Sequence, residues 1–199
     1  MTNEAQMNDF FQEALEKWQH KIDVVCANAG TGGPAGAIET LDYREWQNCV
    51  SVNLFGAFLT CSLAAKNFKH HREGLILLTA STSGLFGVPY RSPYVAAKWA
   101  IVGLTKTLAM ELGDYGVRVN AIAPGAVEGE RMERVLQAEA KASGKSIEEI
   151  RKIYAQGVSL RSWVKADDIA DMALFLASEK ASKITGQIMS IDGHTERVV

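Results

Sequence analysis

The chain has 199 residues, 47% of them hydrophobic, which is enough for one domain with its own core. Its formal net charge is −2, and its lysines and arginines form no basic run, which argues against a nucleic-acid partner. No apolar stretch approaches the length that spans a bilayer, and the polar N-terminus is unlike a secretory signal, so we expect a cytoplasmic protein without a membrane partner.

The N-terminal part of the chain is expected to form a helix, a strand and a second, longer helix. Residues 4–20 have the apolar spacing of an amphipathic helix. Residues 22–27 are a short apolar run, typical of a parallel strand that is covered on both faces. A glycine-rich loop over residues 30–36 then leads into a long helix over residues 41–68, which we expect in two pieces.

The central part carries the next strand–helix–strand unit. Residues 75–80 are expected to form a buried strand, and residues 94–111 a helix that opens with a serine cap at Ser92 and a proline in its first turn. Residues 117–123 alternate as a third strand, and Pro124 stops it. Together with the preceding elements, this order predicts an α/β fold with a parallel sheet.

The C-terminal part begins with a charged helical segment over residues 128–156, whose weak apolar periodicity resembles that of a mobile flap. A further helix is expected over residues 167–177, and a last short strand over residues 187–191. Strands thus alternate with helices over the whole chain.

Cysteine and histidine usage predicts no metal site. The cysteines, an odd number without metal-ligand spacing, are expected to be small buried residues in a reducing compartment; they are Cys26, Cys49 and Cys61. The histidines form no ligand cluster, and three of them are expected at helix ends on the surface; they stand at positions 20, 70, 71 and 194.

Three polar residues in the centre of the chain point to acid–base chemistry. Tyr94 and Lys98 are four residues apart on one predicted helix, so the same face carries both. A phenol titrates with a pKa of about 10 unless a nearby cation favours the phenolate. Ser81 follows the second strand, at the edge where open α/β sheets bind ligands. This set fits proton transfer at an alcohol or carbonyl carbon, whereas a solvated surface pair is the alternative interpretation of Tyr94 and Lys98.

Several short motifs occur in one order along the chain, and with them the chain resembles the short-chain dehydrogenase/reductases over its whole length. The motifs are Asn28-Ala29-Gly30, Asn53 within Val52-Asn53-Leu54, Ser81 with the Tyr94/Lys98 pair, Pro124-Gly125, Ile184-Thr185-Gly186-Gln187 and Ile191-Asp192-Gly193. The resemblance implies one Rossmann-like domain over residues 1–199, with helices on both faces of its sheet. It also implies that residues 128–160 cover the substrate.

The resemblance further implies an NAD(P)-dependent oxidoreductase that interconverts a small alcohol and a carbonyl compound. The implied catalytic residues are Asn53, Ser81, Tyr94 and Lys98. The implied residues for NAD or NADP are Asn28, Ala29, Gly30, Tyr94, Lys98, Pro124, Gly125 and Val127. Tyr94 would exchange the proton, Lys98 would lower the pKa of Tyr94 and bind the ribose, and Asn53 would hold a water.

The chain departs from the family pattern in the part that binds the cofactor phosphates. The first two β–α units, with their glycine turn, are not recognisable, so about four strands are expected. Gly30-Thr31-Gly32-Gly33-Pro34-Ala35 formally fits a phosphate-binding motif, but Pro34 lies inside it and no helical periodicity starts there. Gly129 stands where the family often has a threonine that bonds the cofactor.

These departures leave two functions open. The chain is an oxidoreductase, or it is a truncated non-catalytic relative that pairs with or regulates a complete homologue. The strand over residues 22–27 would form an exposed sheet edge, so we expect a fragment of a longer product, an assembly that covers the edge, or poor folding. Family resemblance implies a homo-oligomer, a dimer or tetramer, through the helices over residues 41–68 and 94–111. The substrate, the reaction direction and the choice between NAD and NADP stay open.

Overall fold

The structure is a computed structural model, and it describes residues 2–195. Helices and strands alternate within this range, as the sequence predicts. The helices are α1 (Glu4–Lys17), α2 (Tyr43–Val50), α3 (Gly56–His71), α4 (Ser92–Leu112), α5 (Glu130–Ser143), α6 (Ile147–Gln156) and α7 (Ala166–Ala177). The strands are β1 (Val24–Ala27), β2 (Gly74–Thr79), β3 (Val117–Pro124) and β4 (Ile188–Ile191).

The described strands form one parallel sheet in the order β1-β2-β3-β4. Parallel pairing requires a crossover after each strand, and the helices between the strands provide it. The predicted α/β class with a four-stranded parallel sheet is therefore confirmed. Because all strands run the same way, their carboxyl ends meet at one edge, where the loops after β2 and β3 lie side by side.

The two faces of the sheet have separate apolar cores. Alternate residues of β2 point to opposite faces, as the period of a strand requires: Ile76 and Leu78 belong to the core beneath α3 and α4. Leu75 and Leu77 belong to the smaller core that Leu176 of α7 closes. Helices thus cover both faces of the central strands, and α4 is fixed against β2 and β3.

Strand β1 lies at an edge of the sheet and is only partly covered. Val24 and Cys26 pair with Leu75 and Leu77, so they face the same side as α7. Cys26 is exposed, and 36% of Val24 is exposed, because no described element covers this side of β1. The expectation that all three cysteines are buried, and that this strand is covered on both faces, was therefore wrong, whereas the expected edge is present.

The long helix after the glycine-rich loop is continuous, with a change of winding in its middle. Helices α2 and α3 are joined by a π-helical segment, Ser51–Phe55, so the helical path runs from Tyr43 to His71. This 29-residue path is long and apolar enough to cross a membrane by length and composition. That corrects the expectation that no stretch reaches this length, although core helices of water-soluble proteins pass the same test. Ala64 and Phe68 of α3 pack in the core.

The segment after β3 forms two packed helices. In α6, the side chain of Ser146 caps the helix by accepting from the backbone N–H of Glu149, whose carboxylate accepts from Ser146 in return. Leu136 of α5 and Ile150 of α6 are buried together, with Trp163 against them. The segment therefore has a small apolar core of its own, which its weak apolar periodicity did not reveal.

Candidate active site

The first turn of α4 brings Tyr94 to the carboxyl edge of the sheet. The helix begins at Ser92 with Pro93 in its first turn, but Ser92 does not cap it: the Ser92 hydroxyl accepts a hydrogen bond from the Trp46 indole at 3.3 Å. The predicted serine cap was therefore wrong. Tyr94 and Lys98 are both buried, and the Lys98 Nζ lies 5.6 Å from the centre of the Tyr94 ring. One helical turn places the phenol and the ammonium in the same environment.

Lys98 is tied to the end of β2 as well as to its own helix. Its Nζ donates a hydrogen bond to the Thr79 carbonyl at 2.6 Å. An ammonium has three N–H donors, so two remain for other partners. The strand end thus fixes where the positive charge stands relative to the phenol.

Ser81 lies beside this pair, two residues beyond the end of β2. It precedes a short 3₁₀ turn, Thr82–Gly84, and its Oγ accepts from the Ser83 N–H at 3.2 Å. The turn packs tightly on α4: a Cβ on Gly84 would stand 2.7 Å from the Lys98 carbonyl oxygen. The structure therefore brings Ser81, Tyr94 and Lys98 together.

The electrostatics of the site favour the phenolate. Burial by itself raises the pKa of Tyr94, but the charges of Lys98 and Arg131, the Ser81 hydroxyl and the charge of Arg91 outweigh it, so this pKa is lowered. Burial also lowers the pKa of Lys98, and the Tyr94 phenolate opposes that shift. A phenol with a lowered pKa is the group that proton exchange near neutral pH requires.

Asn53 lies behind the site, in the π-helical segment. Its Nδ2 donates to the carbonyls of Thr31 and Cys49, at 2.9 and 2.8 Å. Its Oδ1 is buried and accepts no hydrogen bond from the described residues. Gly30 leaves room for it, since a Cβ there would stand 2.6 Å from Asn53 Oδ1 and 4.0 Å from Lys98 Nζ. Segments of π-helix are frequent at functional sites.

A buried ion pair that the sequence analysis missed connects the site to the helices over it. Arg91 Nη1 donates to Glu139 Oε1 at 2.8 Å, and both side chains are about nine-tenths buried. The Tyr154 hydroxyl donates to the same carboxylate at 3.0 Å, and Arg91 Nη2 donates to the Gly32 carbonyl. The pair thus links the residue before α4 to α5, α6 and the glycine-rich loop.

Arg131 is a second residue that the sequence analysis missed. It lies in the segment that the sequence predicts to be a charged helix, and it is exposed to solvent, yet its Nη2 donates to the Tyr94 hydroxyl at 3.5 Å. Its guanidinium carbon lies 5.9 Å from the centre of the Tyr94 ring. The position of Arg131, in the first turn of α5 just beyond β3, was the only sequence signal for this contact.

A cavity of about 360 Å³ opens at the carboxyl edge of β2 and β3. Of the proposed cofactor residues, five line it: Asn28, Tyr94, Pro124, Gly125 and Val127. Gly30 lines a neighbouring cavity of about 300 Å³, Lys98 is buried behind the phenol, and Ala29 lines neither. Of the proposed catalytic residues, Ser81 and Tyr94 line the larger cavity, whereas Asn53 and Lys98 stand behind it.

Gly129 begins the helical cover of the larger cavity. Its φ is +133°, a backbone conformation that L side chains rarely adopt, although no described atom would crowd a Cβ there. A threonine at this position would therefore be strained by the backbone. The chain's glycine is consistent with the local path of the loop into α5.

Comparison with known proteins gives matches over nearly the whole chain. The family model described as "Enoyl-(Acyl carrier protein) reductase" matches residues 1–194. A D-beta-hydroxybutyrate dehydrogenase from Rhizobium meliloti is 33% identical over 194 residues, which are 97% of this chain and 74% of that enzyme.

Solved structures agree with this similarity. The crystal structure of levodione reductase superposes with a TM-score of 0.90 at 32% identity, covering 96% of this chain and 73% of that one. The structure of NAD⁺-bound xylitol dehydrogenase superposes with a TM-score of 0.93 at 26% identity, covering 96% of this chain and 75% of that one.

Proposed function

The chain belongs to the short-chain dehydrogenase/reductase family of oxidoreductases, and from this we propose that it interconverts an alcohol and a carbonyl compound by hydride transfer with NAD or NADP. The observation that carries the proposal is the buried Tyr94 phenol, whose pKa is lowered beside Lys98 and which faces a cavity at the sheet edge. The bound NAD⁺ of the xylitol dehydrogenase structure supports the choice of cofactor class.

Tyr94 is the proposed general acid and base. In reduction, its hydroxyl donates a proton to the carbonyl oxygen of the substrate, and in oxidation the phenolate accepts the proton of the alcohol. Ser81 hydrogen-bonds the same substrate oxygen and holds it near the phenol. The nicotinamide, when bound, supplies the hydride in reduction and accepts it in oxidation. Proton transfer from a positioned group of this kind is worth about 10²–10⁴-fold in rate.

Lys98 and Asn53 are proposed to restore the proton. The unpaired Asn53 Oδ1 and the Lys98 Nζ both lie within 4.0 Å of the point where a Gly30 Cβ would stand. Once Lys98 has given a proton to the Tyr94 phenolate, its neutral amine can take a proton from a water that Asn53 holds near this point, and this water regains its proton from solvent. The buried Oδ1 without a described partner supports this role, because such atoms in folded proteins usually bind water or an ion.

We propose that the larger cavity binds the nicotinamide end of the cofactor. The proposed contacts are Asn28, Tyr94, Pro124, Gly125 and Val127 from its lining, Lys98 from behind the phenol, and Ala29 and Gly30 from the adjoining loop. Lys98 has N–H donors left for the ribose after its bond to Thr79. The loop after β3 supplies a wall of backbone for the ring, and α5 and α6, within residues 128–160, are proposed to cover the substrate.

Replacement of Tyr94 tests the proposed chemistry. We expect Tyr94→Phe to abolish turnover and to leave the fold intact, because the ring that packs in the site is kept. Retention of more than about a tenth of the activity would refute the role of Tyr94. Far-UV circular dichroism of the variant provides the control for folding.

Titration of the purified chain with NADH and NADPH tests the cofactor. Trp163 lines the larger cavity, so its fluorescence reports binding there. Saturable binding supports the enzyme and shows which cofactor is preferred. No binding up to about 1 mM, which is the weak end of specific affinities, favours the alternative of a non-catalytic partner protein.

The remaining expectations are proposals of the same kind. We propose a single domain, a cytoplasmic location, and self-association through α2, α3 and α4. Exposed large side chains on these helices and on the π-helical segment between α2 and α3 support association, since exposed apolar surface often marks an interface; they are Tyr43, Phe55, Phe58, Trp99 and Met110. Sedimentation equilibrium measures the stoichiometry directly.

A further inference from the structure

The Arg131 guanidinium, which helps to lower the pKa of Tyr94, also lies where a bound substrate could contact it. Arg131 Nη2 reaches the phenol oxygen at 3.5 Å, and Arg131 lines both the larger cavity and the neighbouring one. A substrate whose reacting oxygen contacts Tyr94 would therefore lie against this guanidinium. Arg131 stands where a negative group of the substrate would be recognised.

The neighbouring cavity is lined by three arginines, which differ in how they are engaged. Arg91 is committed, because Glu139 and the Gly32 carbonyl take its two terminal nitrogens. The contact of Arg134 with Glu130 is 3.8 Å long and solvent-exposed, so it restrains Arg134 very little. Within residues 2–195, no carboxylate lies within ion-pair distance of Arg131.

None of the carboxylates near the cavities forms an ion pair with Arg131 among the described residues. Glu139 is already paired with Arg91. The two oxygens of Asp192 accept from the backbone N–H groups of His194 and Thr195 at 3.1 Å. Glu128 lies at the rim and is exposed to solvent. Arg131 therefore lines the cavity beside Tyr94 without a carboxylate partner among the described residues, and Arg134 lines the neighbouring cavity with it.

From this geometry we propose that the substrate is a small hydroxy or oxo acid, whose carboxylate binds Arg131 while its hydroxyl or carbonyl oxygen contacts Tyr94. This inference rests on the proposed oxidoreductase function and names its substrate class. A planar guanidinium matches a carboxylate with two parallel N–H donors, which gives orientation as well as affinity.

The short distance between the two recognising groups limits the substrate further. Since Nη2 and the phenol oxygen are 3.5 Å apart, the two oxygen-bearing groups of the ligand must be neighbours. Hydrogen bonds of about 2.8 Å to each group fit a carboxylate that is about one or two carbons from the reacting carbon. The structure thus favours α- and β-hydroxy acids, and the corresponding oxo acids, over long-chain acids with a distant carboxylate.

Binding of matched acids and esters tests the proposal. The probes are lactate and β-hydroxybutyrate, each against its methyl ester, which keeps the hydroxyl and removes the charge. Binding to the purified chain is followed by calorimetry, with and without NADH. We expect each acid to bind about tenfold more tightly than its ester, as loss of a hydrogen bond to a charged group predicts. Equal affinities, or no saturable binding of either acid under both conditions, would overturn the proposal.

Variants locate the effect at Arg131. We expect Arg131→Gln to weaken binding of the acids about tenfold and to leave binding of the esters unchanged. Arg131→Lys should give an intermediate loss, because lysine keeps the positive charge but lacks the two parallel N–H donors of the guanidinium. Arg44→Gln is the matched control, since Arg44 is exposed on α2 and lines neither cavity. If Arg131→Gln weakens acid and ester equally, the carboxylate is not bound there. If Arg131→Gln does not fold, the difference in affinity of the unaltered chain for acid and ester still tests the proposed carboxylate site.

Turnover separates this inference from the proposed function. If the acids bind through Arg131 but no hydride transfer occurs, the proposed function fails and the carboxylate site stands. If turnover occurs with equal kcat/KM for acid and ester, the function stands and the carboxylate site fails. The quantity to compare is the ratio of kcat/KM for the acid to kcat/KM for its ester. We expect Arg131→Gln also to raise the pKa of Tyr94, which would slow oxidation of both substrates alike and leave this ratio unchanged.

Discussion

Gly84 keeps the loop of Ser81 in contact with α4, and its replacement by alanine tests how closely the site is packed. A Cβ at this position would stand 2.7 Å from the Lys98 carbonyl oxygen and 3.0 Å from its carbonyl carbon. Ordinary van der Waals contact begins near 3.4 Å. The loop and the helix must therefore separate by about 0.7 Å at this point, because the packed backbone of the helix can move very little.

The separation should reduce both stability and catalysis. Overpacking of this size costs about 1–3 kcal/mol in the free energy of unfolding. Ser81 lies three residues before Gly84 and moves with the loop, whereas Tyr94 and Lys98 stay on the helix. Because a displacement of about 1 Å can cost on the order of 100-fold in rate, we expect Gly84→Ala to lower kcat by about 10- to 100-fold.

Urea unfolding followed by circular dichroism measures the stability, and steady-state kinetics measures kcat. Gly87→Ala is the matched control, because Gly87 lies in the same loop and no atom of the described residues, its two chain neighbours aside, stands within 4 Å of its Cβ position. We expect the control to change stability by less than about 0.5 kcal/mol. A Gly84→Ala protein as stable and active as the control would refute the close packing of the loop on α4.

Three further results are expected from the buried charges and the open edge. Glu139→Ala leaves the guanidinium of Arg91 buried without its carboxylate, so we expect a loss of about 3–5 kcal/mol in urea unfolding, and a loss below about 1 kcal/mol would contradict the buried ion pair. Arg131→Gln removes a cation that lowers the pKa of Tyr94; since oxidation requires the phenolate, the rise of kcat/KM with pH should move to higher pH, and an unmoved limb would exclude this coupling. Cys26 is exposed, so a maleimide should label it in the folded chain, whereas labelling of the two buried cysteines should require denaturant.

The sequence predicted the features that depend on local spacing. Tyr94 and Lys98 meet because four residues make one helical turn, and Ser81 joins them because it follows a parallel strand. The order of strands and helices likewise gave the parallel sheet, since the period of the apolar residues distinguishes the two element types.

Contacts between distant segments were beyond the sequence. Arg91 and Glu139 are 48 residues apart, and Arg131 is 37 residues from Tyr94, so no periodicity connects them. Arg131 and Glu139 lie in a segment of mixed charge, and a solvated helix has the same composition. The exposure of Cys26 depends on which elements cover β1, and the residue types of the strand do not determine that.

One extra residue in the π-helical segment sets how α2 is rotated about the helix axis relative to α3. The N–H of Gly56 bonds to the carbonyl of Ser51, five residues back, so one residue more than an α-helical turn lies between them. Deletion of one residue here would restore regular winding and rotate everything before it by about 100° relative to α3. The shortened helix would have regular i to i−4 hydrogen bonds throughout, but the Asn53 side chain would point away from Gly30. A more regular helix at this position would therefore come at the cost of the amide behind the phenol.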